Sequence, residues 1–219
     1  MLGSPPGTDR RPAKVHELLS MKTRSKKPEE ESGSSSKASS LSDLATWNSS
    51  SGLLQVVVDT PKGSPVKFKY DVASRCYTIA HILPPGAVFP FDFGSIPGTL
   101  AEDGDPLDLL ILMEEPTFAG CLVPVRLIGV LEAKQTQEGR TNHNDRLIGA
   151  AEASRTYRGL RRLDDAPGHL IKEIEHFFVS YNEERGRRFR VLGRFGPARA
   201  RSLVDAGERR FRGRHSRRR

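Results

Sequence analysis

Apolar and polar residues alternate in the middle of the chain in a way that predicts strands. Residues 54–59 are mostly β-branched and apolar, and they end at a turn rich in proline and glycine. Residues 66–70 (VKFKY) alternate with a period of two, as a half-buried strand does, so Lys67 and Lys69 lie on one face. A third strand is predicted over residues 75–83. These segments predict antiparallel hairpins, and therefore a β-rich meander or a small barrel.

Longer apolar runs predict the core strands of the same domain. Residues 107–113 and 123–131 are mostly apolar, as buried strands are. Before them, residues 84–106 form a long connection rich in Gly, Pro and Phe, and its phenylalanines predict a loop that is packed by its own side chains. The polar stretch at residues 132–146 is predicted to be a surface loop.

A helix is predicted near the end of the domain. Asp164 and Asp165 suit a helix N-cap, and Pro167 suits the first turn. Apolar residues then recur at helical spacing and form one face: Leu170, Ile171, Ile174, Phe177, Phe178 and Tyr181. A strand over residues 189–195 and a short helix over 197–206 are predicted to complete the domain.

The two ends of the chain differ in composition from its middle. Residues 1–51 include a serine-rich stretch that buries too little apolar surface to offset the entropy cost of ordering, and only a short helix over 15–21 is predicted there. The formal net charge is +8, but residues 209–219 carry seven arginines and no acid, so the rest of the chain is nearly neutral. We therefore predict a domain over residues 52–207, between a disordered extension and a disordered arginine-rich tail at 208–219.

Cysteine usage and hydropathy bear on the setting of the protein. Cys76 and Cys121 are isolated, which predicts neither a disulfide framework nor a zinc site, and a reducing, cytoplasmic setting is the simplest inference. No apolar run approaches the roughly 20 residues that a membrane helix needs, and the N-terminus lacks the apolar segment of a secretory signal. We expect a cytoplasmic protein with no membrane partner. Nucleic acid is not an expected partner except through the arginine-rich tail, whose simplest interpretation is a solvated extension.

Three carboxylates lie within six residues at the start of the first core strand: Asp103, Asp105 and Asp108. At a separation of about 5 Å and an effective dielectric constant of about 20, each pair of like charges costs roughly 3 kcal/mol. Such acids either extend into water or are neutralised by a hard cation such as Mg²⁺, Mn²⁺ or Ca²⁺. An EF-hand calcium loop is excluded, because Leu107 and Asp108 occupy the positions of its Asp or Asn and its Gly. A solvated acidic turn and a multi-metal site for phosphoryl transfer both stay open at this point.

Five segments of the chain carry further motifs in a fixed order. Residues 65–70 (PVKFKY) place a lysine on a strand, 89–94 (FPFDFG) form an aromatic loop, and 103–109 (DGDPLDL) fit the pattern D-[SGDN]-D-[PE]-x-D-x. Residues 129–131 (GVL) precede the polar loop, and 176–181 (HFFVSY) belong to the helix. This set resembles the soluble family I inorganic pyrophosphatases. The resemblance implies an α+β, β-rich fold with an OB-like, five-stranded antiparallel barrel and flanking helices.

The resemblance also implies an activity and a set of site residues. It implies hydrolysis of pyrophosphate to two phosphates with Mg²⁺, for which Mn²⁺ or Co²⁺ are possible substitutes. Such chemistry depends mainly on positioning and charge neutralisation, which suits clustered acids and cations. By resemblance, Asp103 and Asp108 bind the metal ions beside the attacking water, and Asp105 helps to deprotonate it. Lys67 and Tyr181 then bind phosphate. Because family members are often oligomeric, a homo-oligomer is expected.

Several positions depart from the family pattern. Asp59 stands where a metal-binding glutamate is usual and is still expected to bind metal, whereas Lys69 replaces a second glutamate and reverses its charge. The family's D-x-K element reads Asn144-Asp145-Arg146, in which Asn144 still offers metal an oxygen and Arg146 offers the substrate a cation. Three further departures weaken the substrate side: His81 for an arginine, although it is still expected to bind substrate, Phe93 for a tyrosine and Asn182 for a lysine.

These departures predict fewer bound metal ions and weaker substrate binding than in a typical member of the family. The leading hypothesis is a divergent Mg²⁺-dependent pyrophosphatase. The alternative is a catalytically impaired relative that binds a phosphate-bearing ligand or a protein partner.

Overall fold

The structure is a computed structural model, and it describes Leu41 and residues 44–216. The short helix predicted at residues 15–21, and most of the predicted N-terminal extension, lie outside the described residues. In the described part the elements follow one another as β1 (Leu54–Thr60), β2 (Val66–Asp71), β3 (Cys76–Ile82), β4 (Asp92–Ile96), β5 (Leu107–Leu112), β6 (Leu122–Gln137), β7 (Arg140–His143), β8 (Arg146–Ala151), a 3-10 turn (Leu163–Asp165), α1 (Gly168–Glu183), β9 (Arg188–Phe195) and α2 (Pro197–Ser216).

Five of these strands pair in a closed ring. β1 pairs with β4, β4 with β5, β5 with β8, β8 with β6, and β6 returns to β1. β7 and β9 extend the sheet from β6, and β2 and β3 form a separate hairpin. The predicted β-rich α+β class with flanking helices is confirmed, but the prediction of a wholly antiparallel ring is wrong at one contact. β5 and β8 are parallel, with Leu109 opposite Leu147, because β6 and β7 intervene and no tight hairpin joins the two strands.

The long connection over residues 84–106 is not one loop, because it contains β4. Phe93 and Ile96 are buried in this strand, and Asp92 is buried with them. The Asp92 carboxylate accepts hydrogen bonds from the backbone N–H of Lys62 at 2.7 Å and the hydroxyl of Thr117 at 2.6 Å. Because Asp92 is buried as a hydrogen-bond acceptor, β4 lacks a simple apolar pattern, and the sequence did not predict this strand.

The predicted surface loop over residues 132–146 is also wrong in part. β6 continues to Gln137 and turns through Glu138 and Gly139, whose φ angles are 51° and 76°, into β7. Two consecutive positive φ angles are what a tight two-residue hairpin requires. Since β7 is exposed throughout, its polar sequence carries no burial pattern that would predict a strand.

The predicted helix is confirmed as α1, with a different start. Pro167 is its N-cap and makes no side-chain cap hydrogen bond. Asp165 instead caps the preceding 3-10 turn, since its carboxylate accepts from the backbone N–H groups of Arg161 and Arg162 at 2.8 and 3.0 Å. The predicted apolar face of α1 packs against the strands.

The last helix is longer than predicted. The sequence predicted a short helix ending at residue 206 and a disordered tail from 208, but α2 continues to Ser216, so that prediction is wrong as far as this residue. Gly207 packs closely on Leu107, which leaves no room for a larger side chain. Beyond it, Arg210 donates to the carbonyl oxygen of Leu100 at 2.8 Å. These contacts attach the helix to Leu100 and Leu107, which lie at the two ends of the segment that carries Asp103 and Asp105, called the acidic loop below.

The N-terminal boundary of the ordered domain also lies earlier than predicted. The hydroxyl of Thr46 donates to the carbonyl oxygen of Pro97 at 2.9 Å, and Trp47 pairs with Leu54. Disorder through residue 51 is therefore wrong for the last residues of that segment.

β5 is buried on both faces and carries the acidic loop at its start. Leu109 and Ile111 belong to an apolar cluster that includes α2, and Leu110 and Leu112 to one that includes α1. Successive residues of a strand face opposite sides, so a strand covered on both sides reads as a continuous apolar run. No helix in the described part of the chain is long and apolar enough to cross a membrane.

Candidate active site

One cavity of about 780 Å³ brings most of the predicted site residues together. Seven of them line it: Asp59, Lys67, Asp103, Asp105, Asp108, Asn144 and Arg146. The other two, His81 and Tyr181, lie beside Lys67 as described below. Most of these residues come from strands, or strand ends, that are neighbours in the ring, because β4 pairs with β1 and β5, and β5 pairs with β8. Lys67 comes from the separate β2–β3 hairpin.

A tight turn presents the acidic loop to solvent. The backbone N–H of Ala101 donates to the carbonyl oxygen of Asp105 at 2.7 Å, and Gly104 adopts a φ of 89° that favours glycine. The carboxylate of Asp103 accepts from the backbone N–H of Asp105 at 3.1 Å. Asp103 and Asp105 are exposed at the cavity, whereas Asp108 lies deeper, at the start of β5.

Asp108 is paired with a buried arginine. The Nη1 atom of Arg146 lies 2.6 Å from Oδ2 of Asp108, and the Arg146 residue is only 6% exposed. Its guanidinium carbon lies 5.2 to 5.8 Å from the ring centroids of Phe93, Phe178 and Phe189. Its Nε atom is buried and has no hydrogen-bond partner in the described part of the chain. The aromatic rings therefore hold this cation in place beside the acid.

Lys69 forms the second ion pair of the cavity. Its Nζ atom lies 2.7 Å from Oδ2 of Asp105, and both side chains are more than half exposed. Solvent screens such a pair, so it contributes little to folding stability. Its effect is local, because it places a positive charge directly on one of the three loop carboxylates.

Asp59 is the buried acid of the cavity. Its residue is 8% exposed, and Oδ1 accepts a hydrogen bond from the Ser95 hydroxyl at 3.4 Å. Burial, and after it the negative charge of Asp108, raise the pKa of Asp59 to about 7, against the opposing effect of Lys67. Asp59 and Asp108 thus repel each other across a site that a cation would stabilise.

Two aromatic rings lie near the ammonium group of Lys67. Its Nζ atom lies 4.8 Å from the ring centroid of Phe93 and 5.9 Å from that of Tyr181. His81 faces Lys67 across the β2–β3 hairpin, and its ring lies 6.1 Å from that of Tyr181. Burial lowers the pKa of His81, and the charges of Arg185, Lys67 and then Arg187 lower it further. His81 therefore favours its neutral form here.

Two residues that depart from the family pattern make side-chain hydrogen bonds within the fold. The side-chain Nδ2 of Asn144 donates to Oε1 of Gln135 at 2.7 Å, and Oδ1 of its neighbour Asp145 accepts from the backbone N–H of Ala133 at 3.0 Å. Asn182 is buried and donates to the carbonyl oxygen of Phe178 at 2.7 Å. The Asn182 side chain therefore makes its hydrogen bond within α1, and it does not line the cavity.

The donor set of the cavity suits a hard divalent cation. No group of three or more His, Cys, Asp or Glu side chains in the described residues is gathered closely enough to enclose a metal ion. The carboxylates of Asp59, Asp103 and Asp108 nevertheless line one cavity, and oxygen ligands are those that Mg²⁺ prefers. The mutual repulsion of Asp59 and Asp108 is what a bound dication would relieve, so the residues fit the ion.

Sequence reasoning missed four cavity-lining arginines: Arg185, Arg187, Arg210 and Arg214. The first two follow α1, and the others belong to α2. Arg214 donates to the carbonyl oxygen of Gly104, within the acidic loop, at 3.3 Å. These four lie in a part of the sequence that contains many other arginines, which are exposed. Composition alone therefore did not distinguish them.

Comparison with known proteins agrees with the motifs. The family model "Inorganic pyrophosphatase" matches residues 56–212. An inorganic pyrophosphatase of Synechocystis sp. is 35% identical over 142 residues, which cover 65% of this chain and 82% of the relative. That of Geobacillus stearothermophilus is 32% identical over 153 residues, or 70% of this chain and 90% of the relative. The crystal structure of inorganic pyrophosphatase from Thermus thermophilus matches with a TM-score of 0.71 at 30% identity, covering 78% of this chain and 98% of that one. The chain therefore belongs to the family I inorganic pyrophosphatases.

Proposed function

We propose that this protein hydrolyses inorganic pyrophosphate to two phosphates in an Mg²⁺-dependent reaction. The observation that carries the proposal is one cavity lined by Asp103, Asp105 and Asp108 together with Lys67. An acidic side that binds a dication and a basic side that binds phosphate are the two requirements of this chemistry. The names of the family and of its relatives support the same substrate.

The acidic side is the proposed metal site. Asp59, Asp103 and Asp108 would hold Mg²⁺, with the side-chain oxygen of Asn144 as an uncharged addition. When bound, Mg²⁺ supplies charge neutralisation on pyrophosphate and lowers the pKa of the attacking water. Mn²⁺ and Co²⁺ are possible substitutes.

The remaining residues position water and substrate. Asp105 accepts the proton of the attacking water, and only its Oδ2 atom contacts Lys69, at 2.7 Å. Lys67 binds a phosphate group as a point charge, and Tyr181 and Arg146 add hydrogen-bond donors. His81 lies beside Lys67 and Tyr181 and completes the substrate side.

The predicted setting accompanies this activity. We infer that the five-stranded ring is an OB-like barrel and that the protein is a cytoplasmic homo-oligomer. Its family and the sequence support these inferences.

Phosphate release from pyrophosphate by the purified full chain tests the activity. We expect release with Mg²⁺, slower or altered release with Mn²⁺ or Co²⁺, and none when a chelator removes divalent ions. Absence of release with all three metals would overturn the proposal.

One observation favours a second candidate, a relative that binds pyrophosphate or another phosphate-bearing ligand without hydrolysing it. Asp105 is paired with Lys69, and Asp108 is paired with Arg146. These cations neutralise two carboxylates that a metal ion would otherwise neutralise. Calorimetric binding of pyrophosphate without phosphate release would support this candidate over the enzyme.

A further inference from the structure

The turn after α1 directs two arginines into the cavity. α1 ends where the backbone N–H groups of Arg185 and Arg187 both donate to the carbonyl oxygen of Asn182, at 3.0 and 2.9 Å. Gly186, between them, has a φ of 65°, the left-handed conformation that closes many helices. Arg185 and Arg187 are half-buried, and both line the cavity.

These two arginines lack the ion pairs that other arginines have. Three arginines elsewhere each contact a carboxylate within 3 Å: Arg194 with Glu175, Arg199 with Glu132 and Arg201 with Asp205. No carboxylate lies within 4 Å of the charged atoms of Arg185, Arg187 or Lys67 among the residues that the structure describes. The Nε atom of Arg187 is buried and has no hydrogen-bond partner within that same part of the chain.

The three cations are close enough to act on one another. Lys67 and Arg185 lie 5.9 and 5.4 Å from the same ring, that of Tyr181. The positive charge of Arg185 contributes to the lowered pKa of Arg187, after the larger effect of burial. Like charges brought together in a partly desolvated cavity destabilise one another unless an anion joins them.

Tyr181 fixes the position of Arg185. The Nη1 atom of Arg185 donates to the Tyr181 hydroxyl at 2.5 Å, and the guanidinium lies against the ring. A guanidinium held in this way has further N–H groups available for the oxygens of a phosphate, which it binds as a fork.

We propose that Arg185 and Arg187 bind a phosphate group of the substrate, together with Lys67. This inference rests on the proposed function, since the substrate is taken to be pyrophosphate. Arg185 and Arg187 determine how tightly the substrate binds, and Asp105 determines how fast it is hydrolysed.

The test is calorimetric titration with imidodiphosphate, a pyrophosphate analogue whose P–N–P bridge resists hydrolysis, in the presence of Mg²⁺. We expect Arg187→Met and Arg185→Met each to weaken binding about tenfold or more, because each removes a charged hydrogen-bond donor. Arg187→Lys keeps the charge and should recover part of the lost affinity, which a merely structural role of Arg187 would not predict.

Arg188 provides the matched control. It is adjacent, exposed and does not line the cavity, so Arg188→Met should bind the analogue as the wild type does. Thermal melting of each variant identifies any that is unfolded. If Arg187→Met is unfolded, the affinity of Arg187→Lys is compared with that of wild type in its place.

If wild type binds the analogue and both methionine variants bind it equally well, the inference alone is overturned. If folded wild type binds neither the analogue nor pyrophosphate, the inference and the proposed function both fail. If wild type binds without hydrolysing, the same titrations still decide the inference.

Discussion

Arg146 reaches Asp108 from a nearly buried position, with 2.6 Å between Nη1 and Oδ2. The arginine belongs to the start of β8 and the aspartate to the start of β5, and the parallel pairing of these strands brings the two residues together. The pair links the ring to the cavity, because Asp108 lines the cavity and Arg146 is surrounded by aromatic rings of the core.

Loss of this arginine should lower folding stability. Arg146→Ala removes the partner of Asp108 and the packing against three aromatic rings, so we expect a loss of about 2 kcal/mol or more in the free energy of unfolding. Arg194→Ala is the control, because Arg194 makes two hydrogen bonds to Glu175 but is 40% exposed, and it should lose less than about 1 kcal/mol. Urea unfolding measures both, and equal losses would contradict the structural role given to Arg146.

Lys69 should weaken metal binding without stabilising the fold. Lys69→Met removes a positive charge 2.7 Å from Asp105, so we expect Mg²⁺ and Mn²⁺ to bind a few-fold more tightly, as a screened charge at this range allows. The free energy of unfolding should change by less than about 0.5 kcal/mol, since the pair is exposed.

Calorimetry with Mn²⁺ measures this effect, and Lys172→Met is the control. Lys172 is exposed on α1 and does not line the cavity, so its loss should leave metal affinity unchanged. Unchanged or weaker Mn²⁺ binding by the Lys69 variant would show that its charge does not oppose the metal.

Glu114 should make the free energy of unfolding depend on pH in the acid range. A hydrogen bond from the Ser154 hydroxyl, at 2.6 Å, and one from the backbone N–H of Arg155, at 2.7 Å, lower the pKa of Glu114 to about 2. A carboxylate with a depressed folded-state pKa stabilises the fold above its unfolded pKa of about 4.5, and this contribution is lost as pH falls towards 2.

The control for this effect is the neighbouring, exposed Glu115. Glu114→Gln should lower the urea midpoint at pH 7, and its midpoint should approach that of wild type as pH falls below about 4.5. Glu115→Gln should follow wild type throughout. A Glu114→Gln deficit that is the same at pH 3 and pH 7 would contradict the ionic contribution.

The end of α2 should restrain the acidic loop. Arg210 and Arg214 donate to the carbonyl oxygens of Leu100 and Gly104. We therefore expect faster amide hydrogen exchange in residues 101–106 when both arginines are replaced by alanine. Arg209→Ala, on the same exposed segment, should leave exchange unchanged, and equal exchange in all three proteins would contradict the restraint.

The sequence predicted the parts of the molecule whose pattern follows directly from burial. The alternation of residues 66–70 and the two-sided apolar run of β5 both became strands. β4 was missed because Asp92 is buried as a hydrogen-bond acceptor, and the end of α2 was missed because arginines on a helix look the same as arginines in a solvated tail.

The candidate site shows the same division. The acidic loop was visible as a local motif, and its cavity brings it together with Lys67. The pairing of Lys69 with Asp105 joins residues 36 positions apart, so it depends on how the β2–β3 hairpin packs beside the acidic loop. Arg185 and Tyr181 are only four residues apart, but their contact depends on the geometry of the turn after α1. Composition carries no information on either.

The most direct test of the account is phosphate release from pyrophosphate by wild type and Asp105→Asn at the same Mg²⁺ concentration. The amide of asparagine cannot accept the proton of the attacking water, so we predict release by wild type and a loss of about a hundredfold or more in the variant. Asp164→Asn, which removes an exposed carboxylate that does not line the cavity, should retain wild-type release. Equal release by wild type and Asp105→Asn would contradict the proposed role of the acidic loop.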